Sequence, residues 1–281
     1  MPVEHVRWRN RPQLDRPVLI AAFEGWNDAG DAASSAVRYL VERNDAELVA
    51  DIDPEEFLDF TSTRPQARVD DGARVIDWPS IELYAGQLPR GAGDALLLLG
   101  SEPQLKWRTF CEQVVAIARE LDCRLVLTLG ALIAEVAHSR PVPVVGTVSD
   151  TALQADLGLP ASTYEGPTGI VGVLSAALRD AGVPSASLWA AVPTYVATAP
   201  SPKAALALVE RVGEVLGTWL PTTDLEIAAA AYERQVSELV EEDDETSDYV
   251  TRLESRHDDN QEVSGTSLAE EVERYLRRRL D

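Results

Sequence analysis

Continuous apolar runs alternate with helical patterns along the first 220 residues of the chain. Apolar runs of this kind are typical of strands that are buried on both faces of a sheet. Four of them stand out, at residues 17–23, 94–99, 124–129 and 186–192. Helices are predicted between and after them, at about residues 29–41, 106–121, 167–181 and 202–217. This alternation predicts an α/β fold with a largely parallel or mixed sheet covered by helices.

Weaker patterns predict strands nearer the margins of the sheet. Residues 47–52 fit a strand, and residues 141–148 are extended, with prolines that suit an edge strand or a loop. Polar and apolar residues alternate from Arg74 to Trp78, and residues 81–84 are predicted to be the hairpin partner of that strand. Pro167 is predicted in the first turn of its helix.

The character of the chain changes after Pro221. Residues Thr223 to Glu226 form a capping box, which predicts a helix with an apolar stripe up to Val240. An acidic run at 241–245 interrupts this stripe, and residues 257–265 are polar. A second capping box at Ser267 begins a short helix. We therefore expect an α/β body at 1–220 and a C-terminal helical extension at 221–281, with a mobile acidic and polar linker near 241–266.

The most informative segment follows the first buried strand and has the sequence Glu24, Gly25, Trp26, Asn27, Asp28, Ala29, Gly30. A strand, a tight turn and a helix N-terminus place backbone N–H groups at the carboxyl edge of a sheet, where α/β proteins usually bind ligands. The turn lacks the glycine spacing of a dinucleotide site and the Gly-Lys-Ser/Thr of a P-loop. It also has no nucleophile with a partnered base. The segment indicates a site without naming a reaction.

Two interpretations of this turn stay open. In the structural one, the glycines permit a tight connection, Trp26 packs, and Asn27 or Asp28 caps the helix. In the functional one, the turn binds a ligand or a partner, and Glu24 and Asp28 are a general acid and base if they are held close together.

Further candidates lie at the ends of the neighbouring strands. Ser101, Glu102, Lys106 and Trp107 follow the strand at 94–99. Glu102 and Lys106 lie four residues apart, either as an exposed helical salt bridge or as part of the same cleft with Trp107 as its wall. Thr168 and Gly169 begin another helix and either cap it or offer N–H groups to an anion. His138, alone in a loop, is interpreted as incidental rather than as a base.

Composition limits the classes of function. The formal net charge of −22 disfavours nucleic acid and anionic membrane surfaces as partners. No apolar run approaches the roughly 20 residues of a membrane span, and the N-terminus resembles no secretion signal. The two cysteines, Cys111 and Cys123, suit a reducing cytoplasm. The three histidines are isolated, so neither a metal site nor a cofactor is expected.

Three motifs together resemble the bacterial branch of the proteasome assembly chaperone 2 family. They are Gly25 to Gly30, Gly100 to Pro103 with Trp107, and Gly166 to Ile170. Tyr195, followed by residues 201–204, is similar to the last body motif of that family, and we include Tyr195 in the candidate ligand or partner cleft. The C-terminal helices resemble extensions of actinobacterial members, and the near absence of lysine fits a GC-rich genome.

This resemblance implies an α/β/α sandwich similar to the phosphorylase/hydrolase-like fold, and a homo-oligomer. It implies a non-enzymatic, cytoplasmic assembly or scaffolding protein, with proteasome subunits or another protein as its partner. Proteasome-binding relatives often end in a hydrophobic residue, tyrosine and any residue. This chain ends in Arg279, Leu280 and Asp281, so docking by that tail is not expected. The alternative is a small-molecule hydrolase, a nucleosidase-like enzyme or a ligand-binding protein that uses the cleft at Glu24 to Gly30.

The helix predicted to begin at Ser267 leads to a testable expectation. Its apolar stripe of Leu268, Val272, Tyr275 and Leu276 cannot stabilise it alone, because isolated helices under about 12–15 residues are marginal in water. We expect it to dock on the body or on a neighbouring subunit. Deletion of residues 267–281 should lower the melting temperature or the oligomer mass and leave any proteasome association intact. Loss of that association with unchanged stability and mass would contradict the docking.

Overall fold

A computed structural model describes residues 4–148 and 151–260 of the chain. Ten strands are present in this part, with the bounds β1 (Val6–Trp8), β2 (Val18–Glu24), β3 (Glu47–Ile52), β4 (Gln66–Asp70), β5 (Ala73–Asp77), β6 (Ile81–Leu88), β7 (Gly93–Ser101), β8 (Leu125–Ala134), β9 (Val144–Val148) and β10 (Ser185–Pro193). The helices are α1 (Ala32–Arg43), α2 (Pro54–Phe57), α3 (Trp107–Glu120), α4 (Thr151–Leu157), α5 (Ile170–Asp180), α6 (Pro202–Leu216), α7 (Thr223–Glu241) and α8 (Asp244–Asn260).

Eight of the strands form one mixed sheet in the order β1-β3-β6-β7-β2-β8-β10-β9. The four central strands, β7, β2, β8 and β10, run parallel to one another. The strands outside them pair antiparallel, and β9 forms one edge of the sheet. The prediction of a mixed α/β sheet with buried apolar strands at its centre is confirmed.

Alternate side chains of the central strands face two separate hydrophobic layers. On one face, Val18 and Ile20 pack with apolar residues of α1 and α6. On the other face, Leu19 and Phe23 pack with apolar residues of α3 and α5. A strand whose two faces are both covered reads as a continuous apolar run, which explains why these strands are visible in the sequence. The molecule is therefore a three-layer α/β/α sandwich.

The sheet has a topological switch point between β2 and β7. The chain leaves β2 through α1 toward β3 on one side, whereas it leaves β7 through α3 toward β8 on the other. The two helices lie on opposite faces of the sheet. Ligands of open α/β sheets bind in the crevice that such a divergence opens at the carboxyl ends of the strands. The turn that begins after Glu24 and the segment after Ser101 meet at this point.

Three local predictions are wrong. The partner of β5 is β4, and the strand at residues 81–84 belongs to β6, which pairs with β3 and β7. Pro167 lies before α5, whose N-cap is Gly169. The capping residue of α7 is Thr222, whose hydroxyl donates to the Glu226 carboxylate at 2.7 Å. In each case the local pattern was read correctly as extended or helical and was assigned the wrong boundary or partner.

The prediction of a mobile linker near 241–266 is wrong for residues 244–260, which form a helix. Helix α7 continues to Glu241, and α8 begins at Asp244 after a break of two residues. Asp243 accepts the backbone N–H of Thr246 at 3.0 Å, so the acidic run caps α8. Apolar residues of the two helices form a cluster with Tyr195 and Val196 of the body. The division at residue 220 stays a prediction, and the predicted helix that begins at Ser267 lies outside the described residues.

Each helix among the described residues is too short or too polar to span a membrane.

Candidate functional site

The turn after β2 exposes its tryptophan and buries the two polar residues that follow. The Trp26 side chain is 50% exposed, whereas Asn27 and Asp28 are 1% and 5% exposed. The backbone N–H of Ala131 in β8 donates to the Asn27 carbonyl at 2.8 Å, which anchors the turn to the sheet. An exposed tryptophan is thus held on a fixed backbone at the switch point.

The carboxylate of Glu102 holds this turn in place. It accepts hydrogen bonds from the Asn27 side-chain amide at 2.7 Å, from the Trp26 backbone N–H at 3.3 Å and from the Ile170 backbone N–H at 3.0 Å. The last donor belongs to the first turn of α5, where an anion is favoured. Glu102 therefore occupies the position that an anionic ligand would take in one of the two interpretations of Thr168 and Gly169.

Gly169 permits the close contact between this helix N-terminus and the turn. A side-chain carbon at residue 169 would lie 2.5 Å from Oδ1 of Asn27. Gly169 is itself buried, while Thr168 is exposed. The side-chain amide of Asn27 thus lies between Glu102 and Gly169, and its Oδ1 atom is buried without a hydrogen-bonding partner in the described part of the chain.

Asp28 serves the first turn of α1. Its Oδ1 atom accepts the backbone N–H groups of Ala33 at 2.6 Å and Ser34 at 3.2 Å, as a capping carboxylate does. Its Oδ2 atom is buried and has no partner among the described residues. Burial raises the pKa of Asp28 from 3.8 to about 6, against the opposing effect of its hydrogen bonds with Ser34 and Ala33.

Glu24 has a different set of contacts from Asp28. Its carboxylate pairs with Arg38 of α1 at 3.0 Å, and the Ser101 hydroxyl donates to it at 3.4 Å. Glu24 and Asp28 are thus bound to separate groups, so the geometry gives no support to a general acid and base formed by this pair. Gly25 lies beside Glu102, and Gly30 accepts the backbone N–H of Ser201 at 2.7 Å, on the side of α6.

Two of the other predicted residues have different contacts from those expected. The interpretation of Glu102 and Lys106 as a salt bridge is wrong, because Lys106 pairs with Glu56 and precedes the first residue of α3. Trp107 is half-buried, and its indole N–H donates to the Pro103 carbonyl at 2.5 Å. Trp107 therefore fixes the loop after β7.

Tyr195 lies in a second cluster, at the carboxyl end of β10. Its hydroxyl accepts the backbone N–H of His138 at 2.8 Å and lies 2.8 Å from Nδ1 of the same histidine. Nε2 of His138 lies 3.0 Å from the hydroxyl of Ser237 on α7. His138 is 4% exposed, and these contacts give it a structural role that the sequence did not reveal. It joins the body to the C-terminal helices.

One tautomer of His138 satisfies every group of this cluster. The Tyr195 hydroxyl donates to Nδ1, Nε2–H donates to Ser237, and the Ser237 hydroxyl donates to the Glu233 carbonyl at 2.9 Å. Ser237 lines an open groove of about 480 Å³ on α7. In this tautomer His138 cannot take the serine proton, so the arrangement supports the docking of a helix and not a nucleophile.

Charged groups around His138 complete the junction. Lys203 donates to the His138 carbonyl and to the Glu233 carboxylate, both at 2.5 Å. Arg140 of the same loop pairs with Asp258 of α8 at 2.7 Å. Burial, followed by the charge of Lys203, lowers the pKa of His138. Sequence reasoning missed this junction because its partners are 57 and 99 residues away from His138.

Within residues 4–148 and 151–260, no group of three or more His, Cys, Asp or Glu side chains is placed to hold a metal ion. Both cysteines are buried, and burial raises the pKa of each thiol to about 12.

The chain is similar to known proteins along most of its length. The model of the PAC2 family matches residues 22–240. The chain is similar to a PAC2 family protein from Streptomyces avermitilis, with 44% identity over 83% of this chain and 99% of that one and a TM-score of 0.76. It is also similar to a proteasome-assembly chaperone homologue of Mycobacterium tuberculosis, with 43% identity over the same shares and a TM-score of 0.76.

A protein of unknown function from Mycobacterium tuberculosis is 31% identical over 99% of this chain and 97% of its own length, with a TM-score of 0.85. No match was found among the curated proteins.

The buried carboxylate of Asp28 predicts a dependence of stability on pH. Because its pKa is raised in the folded state, folding binds protons between pH 3.8 and about 6, and the contribution of Asp28 to stability falls as the pH rises through this range. Asp28→Asn keeps the capping oxygen and removes the charge. We expect its free energy of unfolding, relative to the wild type, to be about 2 kcal/mol more favourable at pH 7.5 than at pH 4.5.

Asp28→Ala is the matched variant, because it removes the cap as well as the charge. It should cost about 0.5–2 kcal/mol relative to Asp28→Asn at either pH. Chemical denaturation at both pH values measures all three proteins. A difference between wild type and Asp28→Asn that does not change with pH would contradict the burial of the charge.

His138 predicts a pH dependence of the opposite sign. Because its pKa is lowered in the folded state, the stability that the neutral imidazole contributes is present above about pH 6.5 and decreases as the pH falls. His138→Asn should destabilise the protein at pH 7.5, and its disadvantage relative to the wild type should shrink at pH 5.5. Thermal unfolding at the two pH values measures this difference, and an equal disadvantage at both would contradict it.

Proposed function

The chain belongs to the PAC2 family, and we propose that it is a non-enzymatic assembly factor or scaffold that binds another protein at Trp26. One observation supports this proposal most strongly: the polar side chains of the turn are already bonded to other groups of the protein. Glu102 and Asp28 bind backbone N–H groups, and Glu24 is paired with Arg38. What the turn presents to solvent is the indole of Trp26.

An exposed tryptophan on a rigid backbone suits protein recognition. Tryptophan is enriched among the residues that dominate binding energy at interfaces, because it buries a large apolar area and loses few rotamers. The turn that carries Trp26 is held by Glu102 and by the hydrogen bond from Ala131. A preorganised turn lowers the entropic cost of binding.

The names of related proteins support a protein as the partner. One relative, 43% identical, is described as a proteasome-assembly chaperone homologue. We infer that this chain also acts on protein subunits, with proteasome subunits as the first candidates. We further infer that it works as a homo-oligomer in the cytoplasm.

A second candidate function is the binding or turnover of a small polar molecule at the same turn. Two observations favour it: the switch-point position, and the buried oxygens of Asn27 and Asp28 that have no partner among the described residues. In a ligand complex these atoms would accept hydrogen bonds from the ligand. The Glu102 carboxylate, which fills the N-terminus of α5, argues against an anionic ligand.

Substitution of Trp26 tests the proposal. Trp219 is the matched control, because its side chain is 54% exposed and belongs to the loop before α7. We expect the wild type and Trp219→Ala to retain the same proteins from extracts of the native cell, and Trp26→Ala to lose at least one of them. Purified proteasome α-subunits provide the first defined partner for a direct affinity measurement with the same three baits.

The two candidate functions give different outcomes. Unchanged retention of every protein by Trp26→Ala would contradict the proposed surface. A metabolite that co-purifies with the wild type and is lost from Asp28→Asn, while the captured proteins are unchanged, would favour the small-molecule function.

A further inference from the structure

The hairpin of β4 and β5 stands apart from the main sheet. Its two strands pair with each other around Asp71 and Gly72, whose φ angles of 47° and 79° form the mirror-image turn that suits hairpins. All five residues of β4 are exposed. A two-stranded hairpin is marginally stable in water, and three or more strands with an apolar face are needed for independent stability.

One face of the hairpin is apolar and open to solvent. The residue pairs Ala67 with Ile76 and Val69 with Arg74 share this face. Val69 is 74% exposed, and Ile76 and Trp78 are also exposed. Trp78 packs against Phe60 with their ring centroids 4.9 Å apart, which fixes the base of the hairpin. The opposite face carries Arg68, which pairs with two aspartates of the hairpin.

The backbone of β4 has one free edge. In a two-residue hairpin the residues that flank the turn, Asp70 and Ala73, form a hydrogen-bonded pair. Bonded and non-bonded pairs then alternate along the register, so the N–H and C=O groups of Val69 and Ala67 point away from β5. Among the described residues no third strand pairs with this edge. Val69 is therefore placed to pair with another strand.

We infer that the partner of this edge is β4 of a second copy of the chain, related by a two-fold axis at Val69. Antiparallel pairing in this register lets the two Val69 residues exchange backbone hydrogen bonds. It also sets Arg68 of each copy directly opposite Asp70 of the other, in a non-bonded pair where side chains approach most closely. The product is a continuous four-stranded sheet with Val69 and Ile76 of both copies on one face.

The distribution of charge along the chain favours contact between two copies at the hairpin. The whole chain carries a net charge of −22, so most contacts between two copies are repulsive. Between Arg64 and Trp78 the sequence has three arginines and three aspartates, and no net charge. A register one pair away, centred on Arg68, would set the two arginines against each other. The register centred on Val69 is the one that satisfies both the backbone and the charges.

A mixing experiment tests the register directly. Arg68→Asp alone and Asp70→Arg alone place like charges opposite each other in a pair of identical copies, so light scattering should report a reduced mass for each. An equimolar mixture of the two variants restores opposite charges at both contacts and should recover the mass of the wild type. Charges that act only within one hairpin would leave the mixture unrecovered, which would overturn the inference.

Cysteine cross-linking provides a second readout that does not depend on charge. Val69→Cys puts the two sulfur-bearing residues in a bonded pair with Cα atoms about 5.5 Å apart, within the range for a disulfide. Ile76→Cys is the matched control, because its two copies would lie three strand spacings apart across the sheet and four residues apart along the strands, roughly 20 Å in all. The native cysteines are buried. We expect a covalent dimer from Val69→Cys under mild oxidation and none from Ile76→Cys.

A monomeric wild type at every concentration, or equal cross-linking of the two cysteine variants, would overturn the pairing. The inference does not rest on the proposed function: the hairpin variants should retain the proteins that Trp26 binds, whereas Trp26→Ala should retain the oligomer mass. The failure of one proposal is therefore visible separately from the failure of the other.

Discussion

The Glu102 carboxylate joins three chain segments at the switch point of the sheet. Its hydrogen bonds reach the turn after β2 and the N-terminus of α5, while its own backbone N–H donates to the Glu24 carbonyl at 2.9 Å. Trp26 and Ile170 lie 76 and 68 residues away from Glu102 in sequence, on opposite sides of it. A buried or half-buried carboxylate is costly unless its oxygens are satisfied. The position of Trp26 is therefore a consequence of satisfying Glu102.

The hydrogen bonds of Glu102 also help to decide between the structural and the functional interpretation of the turn, which the sequence alone leaves open. Free N–H groups at the N-terminus of α5 would favour an anionic ligand, but one of them is bound to an internal carboxylate. Asp28 likewise binds N–H groups of α1. The buried polar residues of the turn thus hold its backbone, and the large apolar side chain that the turn exposes is Trp26. That is the pattern of a recognition surface more than that of a catalytic centre.

The sequence revealed those features whose physical cause is local. The central strands were visible because burial on both faces requires continuous apolar runs. The end of α6 was visible because Gly217 adopts the left-handed conformation that commonly ends a helix. The partner of β5 was wrong because alternation reports exposure and says nothing of pairing. The Asp71–Gly72 turn was the signal that could have identified β4.

Features that depend on contacts between distant segments were not visible. Lys106 adopts a left-handed conformation with φ 50° and contacts Glu56, which no helical spacing predicts. Tyr195 belongs with His138 and Ser237, although its motif suggested the cleft. Both errors came from treating residues near the same sheet edge as one site. The carboxyl edge of an eight-stranded sheet is wide enough for separate clusters at β2 and β10.

The loop after β7 connects the two surfaces for which we propose partners. Glu102 holds the turn that presents Trp26, and Gln104, two residues later, donates to Thr63 at 3.1 Å and accepts from the Asp59 backbone at 2.9 Å. Residues 59–63 lead into the base of the hairpin, where Phe60 packs on Trp78. The hairpin and the turn are thus anchored to the same short segment. One loop thus positions both surfaces, and because its hydrogen bonds are complete within a single copy, each surface is ready to bind its partner without the other.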